Sequence, residues 1–266
     1  MNLRFVSPRP AAYALGVVAM LGSSPALAQA VAQPEPRLDV VYVPTAQPIV
    51  DRMLDMAKVK PGDYVIDFGC GDGRMVISAA KRGARGYGVD INPVRINEAN
   101  ENAKKAGVTD RVEFKIADLF EEDLSKGDVM TMYLLPEINL RLRPKILNDM
   151  KPGTRIVSHD FSMGEWQPDQ RDTVANKRVF LWYVPAKVEG KWFVEGEKRF
   201  SVDLSQQFQV LSGTADIGGN LADVNGRLRG TDITLTIDTG DKKKQELKGK
   251  VDGNRIVGTN WKATKS

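Results

Sequence analysis

The chain has one cysteine and one histidine in 266 residues, Cys70 and His159. A lone cysteine excludes an internal disulfide, so stability has to come from buried apolar surface. One histidine, one cysteine and scattered carboxylates make no metal-ligand spacing, and no metal site is expected. Strong charge of one sign is missing too. The net charge is +4, and Arg4 and Arg9, in a segment expected to be removed, supply half of it. Charge therefore gives no ground for a nucleic-acid partner. The apolar run near the start, Ala11 to Leu21, is short of the roughly 20 residues that span a bilayer.

What that run does resemble is part of an export signal. Arg4 and Arg9 precede it and "GSSPALAQA" follows it, which is the basic, apolar and small-residue order of a secretory leader. Cleavage is expected after Ala28 or Ala30, with export to a bacterial periplasm; an uncleaved anchor is the alternative. No twin-arginine pair is present, and no cysteine follows that could carry a lipid. The expected organisation is a signal over residues 1–30, a Pro-rich linker over 31–37, an α/β domain over 38–187 and a C-terminal β domain over 188–266. After signal removal, no integral membrane segment is expected.

From the linker to about Pro185, strand-like and helix-like segments alternate. "YVIDF", "GYGVDI", "RVEFKIAD", "DVMTMYLL", "GTRIVSHDF" and "RVFLWYVP" read as strands, and Arg74 to Lys81 as a helix. A second helix has Asn92 at its N-cap, Pro93 at its first position and Gly107 as its stop. "PEINLRLRPKILNDM" reads as a further helix. This alternation predicts a doubly wound, mainly parallel sheet with helices on both faces. After Pro185 the pattern becomes period-two alternation broken by glycine turns, which predicts a small antiparallel sandwich or partial barrel. The basic run "DKKKQELKGK" within it reads as a solvated hairpin face.

The most informative stretch is "DYVIDFGCGDGRMVISAA", Asp63 to Ala80. A glycine-rich turn between a strand and a helix lets a ligand approach bare backbone at the positive helix end. Gly69, Gly71 and Gly73 are spaced more closely than the G-x-G-x-x-G of nicotinamide enzymes, and the Lys-Ser/Thr ending of a phosphate-binding P-loop is absent. Asp90 ends the second strand about twenty residues on, where doubly wound folds place the acid that binds ribose hydroxyls. Asp67, Asp90 and Asp118 thus close three consecutive strands at the rim where such sheets bind ligands.

"VIDFGCGDGR", "GVDIN" and "IADLF" resemble successive motifs of class I S-adenosylmethionine-dependent methyltransferases. The resemblance implies that Gly69 and Gly71 pass the methionine part of S-adenosylmethionine and that Asp67 lies near its amino group. It also implies that Asp90 holds the ribose and that Asp118 and Leu119 border the adenine. "VYVPTAQPIVDRMLDMAKVKPGDYVIDFGCGDGR", "MYLLPEINLRLRPKIL" and "KPGTRIVSHDFSMGEW" are further similar to lysine methyltransferases of the ATP-synthase c-subunit and adenine-nucleotide-translocase type. That similarity covers roughly Val40 to Pro185 and leaves the β domain outside. It implies that Tyr42 and Thr45 touch the cofactor, although Ala46 stands where the family usually has a second proline.

The expected reaction is methyl transfer to a protein lysine, with a small-molecule acceptor as the alternative. "YLLPE" lacks the polar residue by which many relatives orient a base amine, so a DNA base is disfavoured. Candidate catalytic residues are Tyr133 as channel wall, Glu137 as a group attracting an ammonium, and His159 as proton acceptor or substrate contact. Trp166, Trp182 and Tyr183 are expected in the core. A different class of reading keeps the nucleoside pocket without turnover and gives the work to the β domain.

Overall fold

The computed structural model describes residues 42–240 and 244–266. The expectations for a leader and a linker fall outside these residues, as does the start of the basic run at 241–243.

Seven strands form one sheet: β1 Tyr64–Phe68, β2 Arg85–Asp90, β3 Val112–Ile116, β4 Val129–Met132, β5 Arg155–His159, β6 Gln170–Val174 and β7 Lys177–Tyr183. Their order is β3-β2-β1-β4-β5-β7-β6. β1 pairs in parallel with both β2 and β4, so the strand order reverses beside it, and the carboxyl end of β1 faces the crevice this creates. β7 runs antiparallel to β5 and to β6.

Alternation along the buried strands divides their side chains between two cores. Val65, Val129, Val157 and Leu181 pack on one face with Ile49, Val50, Met53 and Leu54 of α1, Gln47–Met56, and Met75 and Ala79 of α2, Arg74–Lys81. Ile66, Met130, Ile156 and Trp182 pack on the other with Leu142 and Ile146 of α4, Pro136–Asp149. Between α2 and α4 in the chain comes α3, Pro93–Ala106. The Asn92 side chain accepts from the Val94 N–H at 2.9 Å, and Gly107 ends the helix at φ 68. Trp166 and Trp182 are fully buried, as expected of strand-associated aromatics.

Three elements differ from the sequence expectation. α1 was not foreseen, although Pro48 near its start and the Ile49-Val50-Met53-Leu54 spacing carry a helix signal. β6 was not foreseen because "QRDTV" is polar on both faces, as an edge strand can be. Its turn to β7 places Ala175 and Asn176 at φ 49 and 60, the geometry of a two-residue hairpin. β4 stops at Met132, so Tyr133 to Leu135 lie beyond the strand.

The C-terminal region is a closed barrel rather than a sandwich or an open one. Its eight strands are β8 Gly190–Glu195, β9 Arg199–Gln207, β10 Val210–Ile217, β11 Asn220–Arg229, β12 Asp232–Asp238, β13 Lys244–Asp252, β14 Arg255–Gly258 and β15 Lys262–Lys265. Each pairs with the next, and β15 returns to β8 with Ala263 opposite Val194. Alternate residues point inward and fill the interior: Trp192, Val202, Leu204, Val224, Leu235 and Ile256 are among them. The barrel rests against the sheet through the β9–β10 turn, where Phe208 at φ 56 stacks on Trp166 with centroids 6.1 Å apart. Gln209 Nε2 donates to the Gln167 carbonyl at 2.6 Å, and Arg227 pairs with Asp169 at 2.9 Å.

Candidate active site

A cavity of about 500 Å³ opens at the carboxyl ends of β1, β2, β3 and β4, within the range that holds a small ligand or cofactor. Its walls include Tyr42, Thr45, Asp67, Gly69, Asp90, Asp118, Leu119 and Tyr133. Eight residues singled out from the sequence therefore meet in one place. Gly71 belongs to the same turn and is covered by Tyr42: a Cβ at Gly71 would clash with the edge of the Tyr42 ring at Cε2.

The glycine turn is folded back on β2. The Gly69 and Cys70 N–H groups donate to the Val89 carbonyl at 2.8 and 2.9 Å, and Gly69, Gly71 and Gly73 all have φ between 53 and 77. Left-handed backbone at three alternate residues is why glycine is needed there. The Asp90 carboxylate locks the turn in place. One oxygen accepts from the Gly71 N–H at 3.0 Å, the other from the Asn92 N–H at 2.9 Å. Each oxygen keeps a lone pair for a further donor such as a hydroxyl. Asp118 accepts from the Phe120 N–H at 2.9 Å in a turn just past β3.

Asp67 is different. It is buried, and among the described residues its one hydrogen-bonding side chain is Thr131, whose hydroxyl donates at 2.7 Å. Burial pushes its carboxyl up to about 7; the Thr131 bond works against that rise, while Asp90 and Asp72 add to it. A buried carboxylate so poorly compensated is suited to a bound cation. Thr131 was missed in the sequence, although a hydroxyl inside the fully buried "VMTM" strand needs a partner and so carries a signal.

The segment before α1 closes over this turn. Arg74 pairs with Asp72 and donates from Nη1 to the Thr45 carbonyl at 2.8 Å, and Arg95 of α3 lies 4.5 Å from the centre of the Tyr42 ring. Cys70 also lines the cavity, but burial pushes its thiol up, so it is no thiolate nucleophile.

Two candidate catalytic residues are placed elsewhere. His159 does not line the cavity. It is buried, its Nδ1 lies 3.2 Å from the Thr45 hydroxyl, and the Tyr133 ring stacks on it at 3.8 Å. Burial lowers its pKa and favours the neutral ring, so it supports Tyr133 and Thr45 and is not placed to accept a proton from a substrate. Glu137 is exposed in the first turn of α4, outside the cavity lining, where its charge complements the helix dipole. Tyr133 does form wall, stacked between His159 and Phe161. Phe161 lines the cavity as well and was not foreseen. Its carbonyl accepts from the Ser158 hydroxyl at 2.7 Å, which fixes the chain where it leaves β5.

These features fit an adenosyl amino acid: a carboxylate awaiting an ammonium, a carboxylate with spare acceptor capacity, bare backbone, and apolar walls. The family model described as the ANTKMT methyltransferase domain matches residues 67–170, from Asp67 through the glycine turn to β6. A protein-lysine N-methyltransferase of Saccharolobus islandicus is 44% identical over 151 residues, which cover 54% of this chain and 94% of that protein. The adenine nucleotide translocase lysine N-methyltransferase of Mus musculus is 32% identical over 133 residues, 50% of this chain and 58% of that protein, so the match spans little more than half of the mouse relative. Among solved structures, an RNA methyltransferase of Salinibacter ruber in complex with S-adenosyl-L-homocysteine is 49% identical, with a TM-score of 0.54 over 55% of this chain and 96% of that one. The cavity, its three acids and these matches agree: the chain belongs to the ANTKMT-type family of S-adenosylmethionine-dependent methyltransferases.

Proposed function

We propose that this methyltransferase acts on the ε-amino group of lysine in a protein. The observation that carries the reading is the far wall of the cavity. Past β4 it is built from Tyr133, Leu134, Leu135 and Phe161, with no side-chain amide or carboxylate among these four to orient the planar amine of a base. An apolar, aromatic channel suits a flexible aliphatic chain and favours its uncharged amine, because desolvation disfavours the ammonium. The lysine-directed relatives support the same acceptor. Export to the periplasm belongs to this proposal and is supported by the order of basic, apolar and small residues over 4–30.

S-adenosylmethionine, when bound, supplies a strongly electrophilic methyl group. The chain's own residues hold and align. Asp67 would take the ammonium, Asp90 the ribose hydroxyls, and Asp118 with Leu119 would border the adenine. Tyr133, held by His159 and Phe161, would fix the line of approach of the amine. Alignment of this kind accounts for about 7–11 kcal/mol of barrier reduction in well-oriented reactions. No general base is required of the cavity, since an amine that arrives uncharged already presents its lone pair.

The experiment is transfer of a labelled methyl group to a bacterial lysate, with and without protease and ribonuclease, followed by mass spectrometry of modified lysines. Label in trimethyl-, dimethyl- or monomethyl-lysine is the expected result. Label resistant to protease and lost with ribonuclease would replace this reading with an RNA acceptor, the activity named for the Salinibacter ruber relative.

Asp67 gives the site a pH dependence. A cationic amino group beside it stabilises the carboxylate, so binding is linked to proton release while the free carboxyl sits near 7. Affinity for S-adenosylhomocysteine is expected to rise with pH and to drop about tenfold between pH 8 and pH 6, as one linked proton requires. Calorimetry across that window checks it. An unchanged affinity would take Asp67 away from the ammonium.

A further inference from the structure

Beside the cofactor cavity lies a second hollow of about 600 Å³. One wall is the chain between β5 and β6, with Ser162, Gly164 and Gln167; the other is the β6–β7 hairpin. The two hollows meet in the chain, since Phe161 lines the first and Ser162 the second. In the hairpin, Thr173 is opposite Arg178 and Arg171 opposite Phe180. Pairing and the two-residue period therefore put Arg171 and Arg178 on one face, with buried Phe180 beneath them.

Neither guanidinium has a carboxylate partner among the described residues. Arg171 donates to the Gln167 side chain at 2.6 Å, and Arg178 lies 5.7 Å from the Phe180 ring centre. The acid that also borders the hollow, Asp172, is already paired with Arg52 at 2.5 Å. The hollow is thus walled by two uncompensated positive charges. β6 is also the last strand of the sheet, so one side of its backbone is open to pairing except at Thr173, whose N–H donates to the Asp172 carboxylate at 2.7 Å.

We propose that this hollow binds an acidic stretch of the acceptor protein next to the lysine that enters the cavity, a specificity that rests on the lysine reading above. Guanidinium groups recognise carboxylates in a defined geometry. A free strand edge adds main-chain pairing, which a polypeptide offers and a nucleic acid does not. That edge is what favours a peptide over RNA. The barrel fixes the hollow's wall from behind: Phe208 stacks on Trp166, and Gln209 bonds to Gln167.

The test separates binding from transfer in the full chain. Two fluorescein-labelled peptides carry a central norleucine, one flanked by glutamates and one by serines, and binding is read by anisotropy in the presence of S-adenosylhomocysteine. The glutamate peptide is expected to bind about tenfold more tightly, the scale of one charge-assisted hydrogen bond. The R171A/R178A variant should lose that preference, R171K/R178K should regain part of it, and both should keep the S-adenosylhomocysteine affinity. With lysine at the centre, the glutamate peptide should be methylated with the lower KM. Equal binding of the two peptides, or a preference that survives R171A/R178A, overturns the proposal. So does an oligouridylate that outcompetes the glutamate peptide and loses its affinity in R171A/R178A. If neither lysine peptide is methylated while the norleucine preference remains, the lysine reading fails and the acidic site stands.

Discussion

Replacing Gly71 by valine is expected to lower cofactor affinity by about a hundredfold or more. Three consequences combine. The residue sits at φ 53, where a Cβ costs about 1–2 kcal/mol. The new side chain has to displace the Tyr42 ring, and overpacking of that kind costs about 1–3 kcal/mol. The Gly71 N–H also anchors Asp90, so a shift of the turn moves the carboxylate assigned to the ribose. Titration with S-adenosylhomocysteine measures the loss, and circular dichroism establishes that the sheet is intact. A second pair of variants isolates the steric part: Tyr42 lines the cavity, so Tyr42→Ala has a cost of its own, but adding Gly71→Ala to it should cost less affinity than Gly71→Ala costs with the Tyr42 ring in place. Full affinity in Gly71→Val would reduce the glycine turn to a bend with no part in binding.

The second large effect concerns the barrel. From the sequence, removal of residues 188–266 is expected to leave cofactor binding intact, because family resemblance ends near Pro185 and the pattern changes there. The structure gives the opposite expectation. Trp166, buried, has Trp182 on one side and Phe208 on the other, and its neighbours Gln167 and Asp169 are tied to Gln209 and Arg227. Without the barrel this surface becomes a wet apolar patch under the chain segment that carries Phe161. A chain ending before Gly190 should lose most of its soluble yield, and the remainder should bind S-adenosylhomocysteine weakly. Phe208→Ala is the milder form. For a partly buried aromatic it should cost about 2 kcal/mol, read as a fall of roughly 4–8 °C in melting temperature. A truncated chain that stays soluble and binds as the whole protein does would show that the barrel merely leans on the sheet.

Much of the cofactor site was legible in the chain because its signals are local. Glycines spaced by single residues after an apolar strand, and acids at successive strand ends, fix their own surroundings within a few residues. The α3 caps, Asn92, Pro93 and Gly107, are local in the same sense. What was hidden depends on direction or on distant partners. "SHD" shows that a histidine ends a strand, and nothing in those letters says that its ring lies beneath Tyr133 instead of facing the cavity. Glu137 follows a proline at a helix start, and whether the first turn points a side chain inward is decided by how α4 packs. Alternation in the last eighty or so residues reveals which side chains are inside, but a sandwich and a barrel alternate alike. Closure is decided by the pairing of β15 with β8, strands from opposite ends of that region.

That final pairing also bears on how the molecule assembles. Until Lys262–Lys265 arrives, β8 and β14 each keep an unpaired side, and the Trp192 cluster has an open seam. Seam closure joins segments some seventy residues apart and should be slow, because loop-closure entropy is lost before the contacts form. During that interval two bare strand borders invite association with other chains. A variant that weakens the last strand should reveal itself first in aggregation during refolding, before any loss of methyl transfer by the molecules that succeed.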